Sequence, residues 1–497
     1  MVKQHEGVHF PFITIDATAP APVYKQLEGQ LRAAILQGTL RNGTRLPASR
    51  VLADELGISR PTVVKVLESL MSEGFLEARQ GSGTFVAPDL PQHLPQKNQR
   101  TDRGRAAAAT RLRLSEIGAL TSTMTADLGR PHYRPFLPNH PALEAFPLAA
   151  WRKCRTAVAR AGRLDTMGYG DVAGYAPLRK CIAEYLALHR GDACDPDQII
   201  ITPGSHAGFA LAALLLANPG EGIWFEDPGP LTVFNLFRAL ALDVRLVKVD
   251  RDGMDVETAI ACHRDARLAF VMPSRHHPLG VTLSLPRRLA ILEWARHNDA
   301  WIIEDDYDSE FRYVGRPLPS MRSIDAAERV IYAGTFSKAL YPSIRVGYLV
   351  LPPQLVGLFR SLGGLINRGV SIENQAVLAE FINRGHFVTH LRRMRDLYVG
   401  RRAAFSDIAT KELGGLAEVD CPDSGMNAIA WLSDNRNDSA VQRSAIEAGV
   451  QCFPLSDYTV SAKLRSALIL GFTGVPADRM PAHFKTLAQA ITRPRPG

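Results

Sequence analysis

The chain has 497 residues, 46% of them hydrophobic, and a net charge of +8, which gives room for two or more domains with ample core. Its six cysteines (Cys154, Cys181, Cys194, Cys262, Cys421 and Cys452) are scattered without a C-x-x-C pair, which excludes a disulfide or metal framework and points to a reduced, cytoplasmic setting. The longest aliphatic run, Leu211 to Ala217, is too short to span a bilayer, and the start Met1-Val-Lys-Gln-His has no apolar signal core. Residues 1–113 carry 15 Lys and Arg against 10 Asp and Glu, whereas the remainder carries 43 against 40, so the basic excess is concentrated in the first quarter. Such asymmetry points to a polyanionic partner there, nucleic acid above all.

From Pro22 the pattern is helical, with Tyr24, Leu27, Leu31 and Ile35 recurring every three to four residues and Gly38 closing the run. Ser49 is the expected N-cap of a short helix with Leu52 and Leu56 on one face, closed by Gly57. Ser59 caps a second helix with Pro61 in its first turn and Val63, Val66, Leu67 and Leu70 on its apolar face. Two short helices joined by Gly57-Ile-Ser59 form a helix-turn-helix. Phe75 to Val86 then reads as two strands around the turn Gly81-Ser-Gly83, a wing that can approach a nucleic-acid backbone or minor groove closely. An amphipathic helix pair is also a common purely structural unit; the basic balance and the wing favour a DNA reader. Arg79 reads equally as a solvated strand residue or as a contact.

Residues 87–125 read as a basic flexible linker, with Pro88, Pro91 and Pro95 followed by Lys97, Arg100, Arg103, Arg105, Arg111 and Arg113. From about Asp127 apolar strands alternate with helical stretches, the pattern of an α/β domain, and from about residue 390 a smaller α+β part follows. The strand Gln198 to Ile201 leads to Thr202-Pro-Gly204-Ser205 at a helix start, where free N–H groups can cradle an anion such as a phosphate.

Two later stretches carry chemistry. Ala300 to Glu310 is an apolar strand ending in a burst of acid that includes Asp305, beside Tyr307. In open α/β sheets ligands sit at such strand ends. The cluster is open to three readings: a solvated loop, a metal site, or a carboxylate for a cofactor ring; no second acidic cluster of this kind offers further metal ligands. Ile331 to Arg345 is a buried strand running into a polar turn that ends on Lys338, with hydroxyls at Thr335 and Ser337 and Arg345 seven residues on. A desolvated lysine there is a nucleophile toward an aldehyde, and the hydroxyls and arginine can hold an anion beside it. Pyridoxal 5'-phosphate (PLP) requires this set: a lysine for the Schiff base and a carboxylate for the pyridinium nitrogen. Asp305 pairs with that nitrogen in this reading, and Tyr307 donates to the ring oxygen.

Four stretches resemble the MocR/GabR-like branch of the GntR regulators: "LRAAILQGTLRNGTRLPASRVLADELGISRPTVVKVLESLMSEGFLEARQGSGTFVA", "IIEDDYDSEFRYVGRPLPS", "RVIYAGTFSKALYPSIRVGYLV" and "GHFVTHLRRMRDLY". The resemblance covers nearly the whole chain outside the linker. It implies a winged helix-turn-helix DNA-binding domain over 1–86, the linker, and a fold-type I aminotransferase-like, PLP-binding domain over 126–497 that forms a homodimer. It implies Lys338 as the Schiff-base lysine, Asp305 at the ring nitrogen and Tyr307 at the phenolic oxygen. The segment Tyr169 to Arg179 is similar to the family's "YGxxxGxxxLR", which implies that Tyr169 reaches the phosphate of a partner subunit. Gly204, Ser205, Thr335, Ser337 and Arg345 complete the expected phosphate site. On the DNA side the resemblance turns Arg45, Arg50, Arg60, Thr62 and Lys65 to DNA. A recognition helix reads bases with its first residues, so Arg60, Thr62 and Lys65 are expected on bases, and Arg45, Ser49 and Arg50 on phosphates, with Ser59 and Gly81 beside them.

Three places depart from the family. Asp227-Pro-Gly-Pro230 stands where the family has "DPGYxGAR"; Met272-Pro-Ser-Arg275-His276-His277 stands where it has "TPSHQF"; and Leu468 to Phe472 lacks the arginine that clamps a substrate carboxylate, with Arg465 near but out of register. Arg275, His276 and His277 read equally as a different anion or pH-sensitive site, or as packing over the cofactor. The missing clamp disfavours a working aminotransferase and favours a transcriptional regulator that senses a small amine, an amino-acid-type ligand or PLP itself. The expected partner is an operator of two half-sites. A flexible linker of 39 residues spans roughly 30–37 Å, about one DNA turn, so their spacing is expected to vary by whole turns.

Overall fold

The computed structural model describes residues 12–16, 18–88, 113–123, 134–162, 166–315, 319–366, 369–434 and 436–493. The chain divides into two compact units, Met1–Leu112 and Arg113–Gly497. Residues 89–112, which hold most of the expected linker, lie outside the described residues. The described end of the expected linker, 113–123, contains the α-helix Glu116–Thr123, so that part is not flexible coil.

In the first unit, helices α1 (Val23–Leu36), α2 (Ser49–Leu56) and α3 (Arg60–Ser72) precede a hairpin of β1 (Leu76–Arg79) and β2 (Gly83–Val86). Leu27, Leu31, Leu52, Val63, Leu70 and Val86 are fully buried in one core. Gly57 ends α2 at φ 65°, a left-handed position that costs glycine nothing. Ser59 caps α3, its hydroxyl accepting from the Thr62 N–H at 3.4 Å. The expected N-cap at Ser49 is corrected: Ala48 occupies the cap without a side-chain bond, and Ser49 is the first helical residue. Its hydroxyl instead accepts from Arg60 Nε at 3.4 Å. The wing gains a third short segment, because Arg45 bridges Phe85 and the Leu46 N–H donates to the Thr84 carbonyl at 2.8 Å.

The second unit is built on an eight-stranded sheet of β3 (Ile199–Thr202), β4 (Gly222–Asp227), β5 (Asp243–Asp250), β6 (Gly253–Met254), β7 (Leu268–Val271), β8 (Trp301–Asp306), β9 (Val330–Thr335) and β10 (Gly347–Val350). The spatial order is β3-β10-β9-β8-β7-β4-β5-β6. Strands β5, β4, β7, β8 and β9 run parallel, and β10 is antiparallel to both β9 and β3. Alternate residues feed two cores on opposite faces: Ile201, Tyr332 and Tyr348 on one, Ile200, Ile331 and Leu349 on the other. Burial on both faces explains the unbroken apolar runs. A second sheet of four antiparallel strands follows, β11 (Ala417–Asp420), β12 (Asn427–Leu432), β13 (Phe453–Pro454) and β14 (Ala467–Gly471), in the order β11-β12-β14-β13. This matches the smaller C-terminal part. Among the described residues, no helix is long and apolar enough to cross a membrane.

Candidate functional site

The parallel strands deliver their carboxyl ends to one edge of the large sheet. Asp305 and Asp306 end β8, Thr335 ends β9, and Asp305 sits opposite Ala333. Because β10 runs antiparallel to both of its neighbours, Thr202 and Thr335 lie level on either side of Gly347. Gly204, Ser205, Thr335, Ser337, Lys338 and Arg345 therefore gather where the sequence placed an anion.

Glycine makes the cradle. Gly204 takes φ 95° at the start of the helix Ser205–Leu216, and a Cβ there would lie 3.5 Å from the Arg345 guanidinium. A Cβ on Gly347 would meet the Gly204–Ser205 peptide at 2.8–3.0 Å. Arg345 itself holds φ 49°, an uncommon backbone for an arginine that brings its side chain against Gly204. The Thr335 hydroxyl accepts from the Ser337 N–H at 3.2 Å.

Lys338 is half-buried and its Nζ donates to the Asn139 carbonyl at 3.2 Å. Burial holds its pKa below the ordinary lysine value, opposed by Asp308 and Asp305. Asp305 is buried, its Oδ1 has no hydrogen-bond partner among the described residues, and burial with Asp306 and Asp308 nearby pushes its pKa up to about 8. Among the described residues no group of His, Cys, Asp and Glu is arranged to hold a metal ion.

Arg275 was open in the sequence and is structural here. It is 3% exposed and donates to Asp308 at 3.0 Å, to the Tyr307 hydroxyl at 3.2 Å and to the Asn427 carbonyl at 3.1 Å. Gly425, at φ 79°, admits it, since a Cβ there would sit 2.1 Å from the guanidinium. Arg275 thus fixes Tyr307 and takes the phenol's lone pair, leaving its proton to point elsewhere. His276 is also satisfied: Nε2 donates to the Pro228 carbonyl at 2.9 Å and Nδ1 accepts from the Leu279 N–H at 3.3 Å. Burial drives its pKa down to about 3, so it stays neutral. His277 differs: its buried Nδ1 has no partner among the described residues, while Nε2 lies 3.4 Å from Asn139 Nδ2.

Asn139 and Asn427 were missed by sequence reasoning. The Asn139 N–H donates to Asn427 Oδ1 and Asn427 Nδ2 returns a bond to Asn139 Oδ1, both at 2.7 Å, which joins the loop over Lys338 to β12. No local pattern flags a pair 288 residues apart; the positive φ of Asn139, 57°, is the structural trace. Asp227, in the departing "DPGP" segment, accepts from the Val460, Ser461 and Ala462 N–H groups. Arg465 is no clamp: it donates to the Leu432 and Trp431 carbonyls and pairs with Glu418 at 3.2 Å. The five β14 residues are buried and none is charged. Tyr169 lies outside the cluster on this chain, 84% exposed.

On the first unit, Arg45, Arg50, Arg60 and Lys65 are exposed, as are Ser59 and Gly81, with Ser49 and Thr62 partly so. Arg79 pairs with Glu77 at 2.6 Å and lies over the Phe85 ring at 4.7 Å, which favours a solvated strand residue over a DNA contact. Lys65 Nζ sits 4.6 Å over the Tyr24 ring.

Residues 144–469 match the family model of aminotransferase class I and II, and residues 23–86 match that of the bacterial regulatory proteins of the gntR family. Fold and comparison together define a helix-turn-helix regulator fused to an aminotransferase-type domain. The probable rhizopine catabolism regulatory protein MocR of Rhizobium meliloti is 37% identical over 96% of each chain. The pyridoxine biosynthesis transcriptional regulator PdxR of Corynebacterium glutamicum is 30% identical over 97% of this chain and 98% of its own. This chain belongs to the MocR-type subfamily of the GntR transcriptional regulators. The solved kynurenine aminotransferase of Pyrococcus horikoshii covers 78% of this chain and 97% of its own at a TM-score of 0.67 and 26% identity.

Proposed function

We propose that this regulator holds PLP on Lys338 and converts the state of that pocket into a change in operator binding. The observation that carries the reading is the buried, unpartnered Oδ1 of Asp305. Leaving such a group unpaired costs about 1–3 kcal/mol, and a protonated ring nitrogen offsets that cost. When bound, PLP supplies an aldehyde that reacts with lysine and an electron-withdrawing ring. Lys338 is the residue that bonds to it, Asp305 orients the ring, and Tyr307, held by Arg275, presents its hydroxyl proton to the ring oxygen. Gly204, Ser205, Thr335, Ser337 and Arg345 hold the phosphate.

A homodimer completes this site. Tyr169 is 84% exposed, and its loop packs on the helix Pro353–Ile366 through the Arg360–Asp171 ion pair, where Leu365 is 83% exposed and Ile366 51%. An apolar patch of that kind on one chain is covered by a second copy, which brings Tyr169 toward the partner's phosphate. Residues 1–86 read the operator's two half-sites, with Arg60, Thr62 and Lys65 on bases and Arg45, Ser49 and Arg50 on phosphates, flanked by Ser59 and Gly81. Residues 87–125 link them to the domain over 126–497. The effector is a small amine or amino-acid-type molecule, or PLP itself. The names of the relatives support either, one concerning rhizopine catabolism and the other pyridoxine biosynthesis.

The competing reading, a working aminotransferase, lacks its carboxylate clamp, because Arg465 is tied to Glu418 and β14 is apolar. Operator titration with PLP-free and PLP-loaded protein, alongside turnover with an amino-acid panel and a keto acid, separates the two. A PLP-dependent change in DNA affinity without turnover is expected; turnover with no effect on DNA binding would overturn the proposal.

A further inference from the structure

A second cavity lies away from Lys338. It measures about 420 Å³ and is walled by the end of the helix Ala176–Arg190, the loop 309–315 and the start of the helix His386–Glu412. Four arginines line it, Arg190, Arg312, Arg392 and Arg395. Among the described residues, only Arg190 of the four has an acidic partner, Asp306, at 2.5 Å. Arg312 donates to the Val314 carbonyl at 3.0 Å and Arg395 to the Glu310 carbonyl at 3.1 Å, so each keeps its positive charge uncompensated. Arg392 makes no hydrogen bond or ion pair among the described residues. Arg392 and Arg395 stand three apart on one helix, where like charges repel. Glu310 is the one acid in the lining against four arginines, and burial pushes its pKa up to about 8. Tyr185, Leu188 and Leu391 give the same cavity an apolar wall.

Three guanidinium groups without an acidic partner, two of them (Arg392 and Arg395) exposed, around an open cavity with a ring and two leucines beside them, are the chemistry of an oxyanion site with room for a carbon skeleton. We infer that this cavity binds a small organic dianion, with Arg312, Arg392 and Arg395 as its ligands. It shares no residue with the Lys338 cluster but abuts it. Arg190 holds Asp306, the neighbour of Asp305, and Ser309 follows the Asp308 that pairs with Arg275. Phosphate and carboxylate are the two sources of such charge.

The test uses full-length Arg345→Ala as the parent, which removes the proposed phosphate cradle and so keeps this inference separable from the PLP reading. Sodium phosphate and sodium succinate are titrated calorimetrically, with sodium chloride at matched ionic strength as the reference. One saturable site per chain is expected for at least one of them, weakened about tenfold or more by the added pair Arg392→Ala and Arg395→Ala. Arg392→Gln alone, which breaks no bond in the protein, is expected to weaken it severalfold and guards against a folding defect. Binding of phosphate but not succinate assigns a phosphate-bearing ligand; binding of both extends the class to dicarboxylates. Absence of saturable binding by either anion, or undiminished binding in both variants, overturns the inference.

Discussion

The helix-turn-helix face and the Lys338 pocket use the same residue types in opposite solvents. Arg45, Arg50 and Arg60 are exposed cations in water, where holding a charge without a partner costs little. Asp305 and Lys338 are charges in a low-dielectric site, and burial shifts both toward their neutral forms. In the proposed function each region takes a ligand of complementary charge. The exposed one stores almost no free energy before binding, while the buried one stores a good deal. Removing a residue therefore reads out differently in the two places: as ligand affinity and salt dependence in the first, as ligand affinity coupled to stability and pH in the second.

The largest effect is expected at Lys338. Lys338→Ala removes the only bond-forming group of the proposed site and should abolish the visible absorption of lysine-bound PLP; an unchanged band sinks the assignment. Asp305→Asn comes next and has two signs. PLP affinity should fall by about 10–100-fold, since the ring nitrogen loses its charged partner. The PLP-free variant should at the same time be more stable than the parent at high pH. The folded pKa of Asp305 is about 8 against an ordinary 3.8, so its favourable contribution is full below about pH 4 and is lost as pH rises to 8. Asparagine carries no such loss. Thermal melts at pH 6 and pH 9 check this: the stability advantage of the variant should widen at pH 9, and a constant difference would mean that Asp305 is not a stored charge.

Much of this was legible in the sequence because it is local. The spacing of Val63, Val66, Leu67 and Leu70, the glycines at 57 and 74, and the apolar runs of the large sheet follow from short-range periodicity. The placement of Asp305 at the end of β8 and of Lys338 just after β9 was legible from the apolar runs that precede them. What was not legible is long-range. Residue type alone points to Ser49 as a cap, while backbone geometry places Ala48 there. Asn139 and Asn427 meet across 288 positions, and only the fold decides that Arg275 faces Asp308. Lining arginines on three separate elements likewise make a cavity only after folding.

On the DNA side the effects are smaller and salt-dependent. Arg60→Ala should cost about 1–3 kcal/mol on the preferred operator and relax preference at one base position, leaving random DNA nearly unaffected. Arg50→Ala should weaken binding to all sequences and reduce the slope of log affinity against log salt by about 0.9, the signature of one lost phosphate contact. Wild-type slopes and affinities in both variants would contradict the assignment of this helix pair to DNA.

The smallest effect sharpens the comparison most. Arg79 is as basic as Arg50 and sits on the wing, so charge counting alone ranks the two together. Yet Arg79 is already engaged, paired with Glu77 at 2.6 Å and lying over Phe85 at 4.7 Å, whereas Arg50 has no such partner among the described residues. A cation that must leave a partner before meeting a phosphate gains only the difference between the two interactions. Exposed ion pairs and cation–π contacts are each worth up to about 1 kcal/mol, comparable with one screened phosphate contact. Arg79→Ala should accordingly leave operator affinity within about twofold and the salt slope unchanged, while lowering the stability of the PLP-free chain by at most about 1 kcal/mol. Salt-dependent titrations of Arg50→Ala and Arg79→Ala side by side provide the measurement. A loss of about 0.9 in slope for Arg79→Ala would mean that the wing releases its cation on binding, and that local pairing does not separate DNA-facing from bystander arginines in this protein.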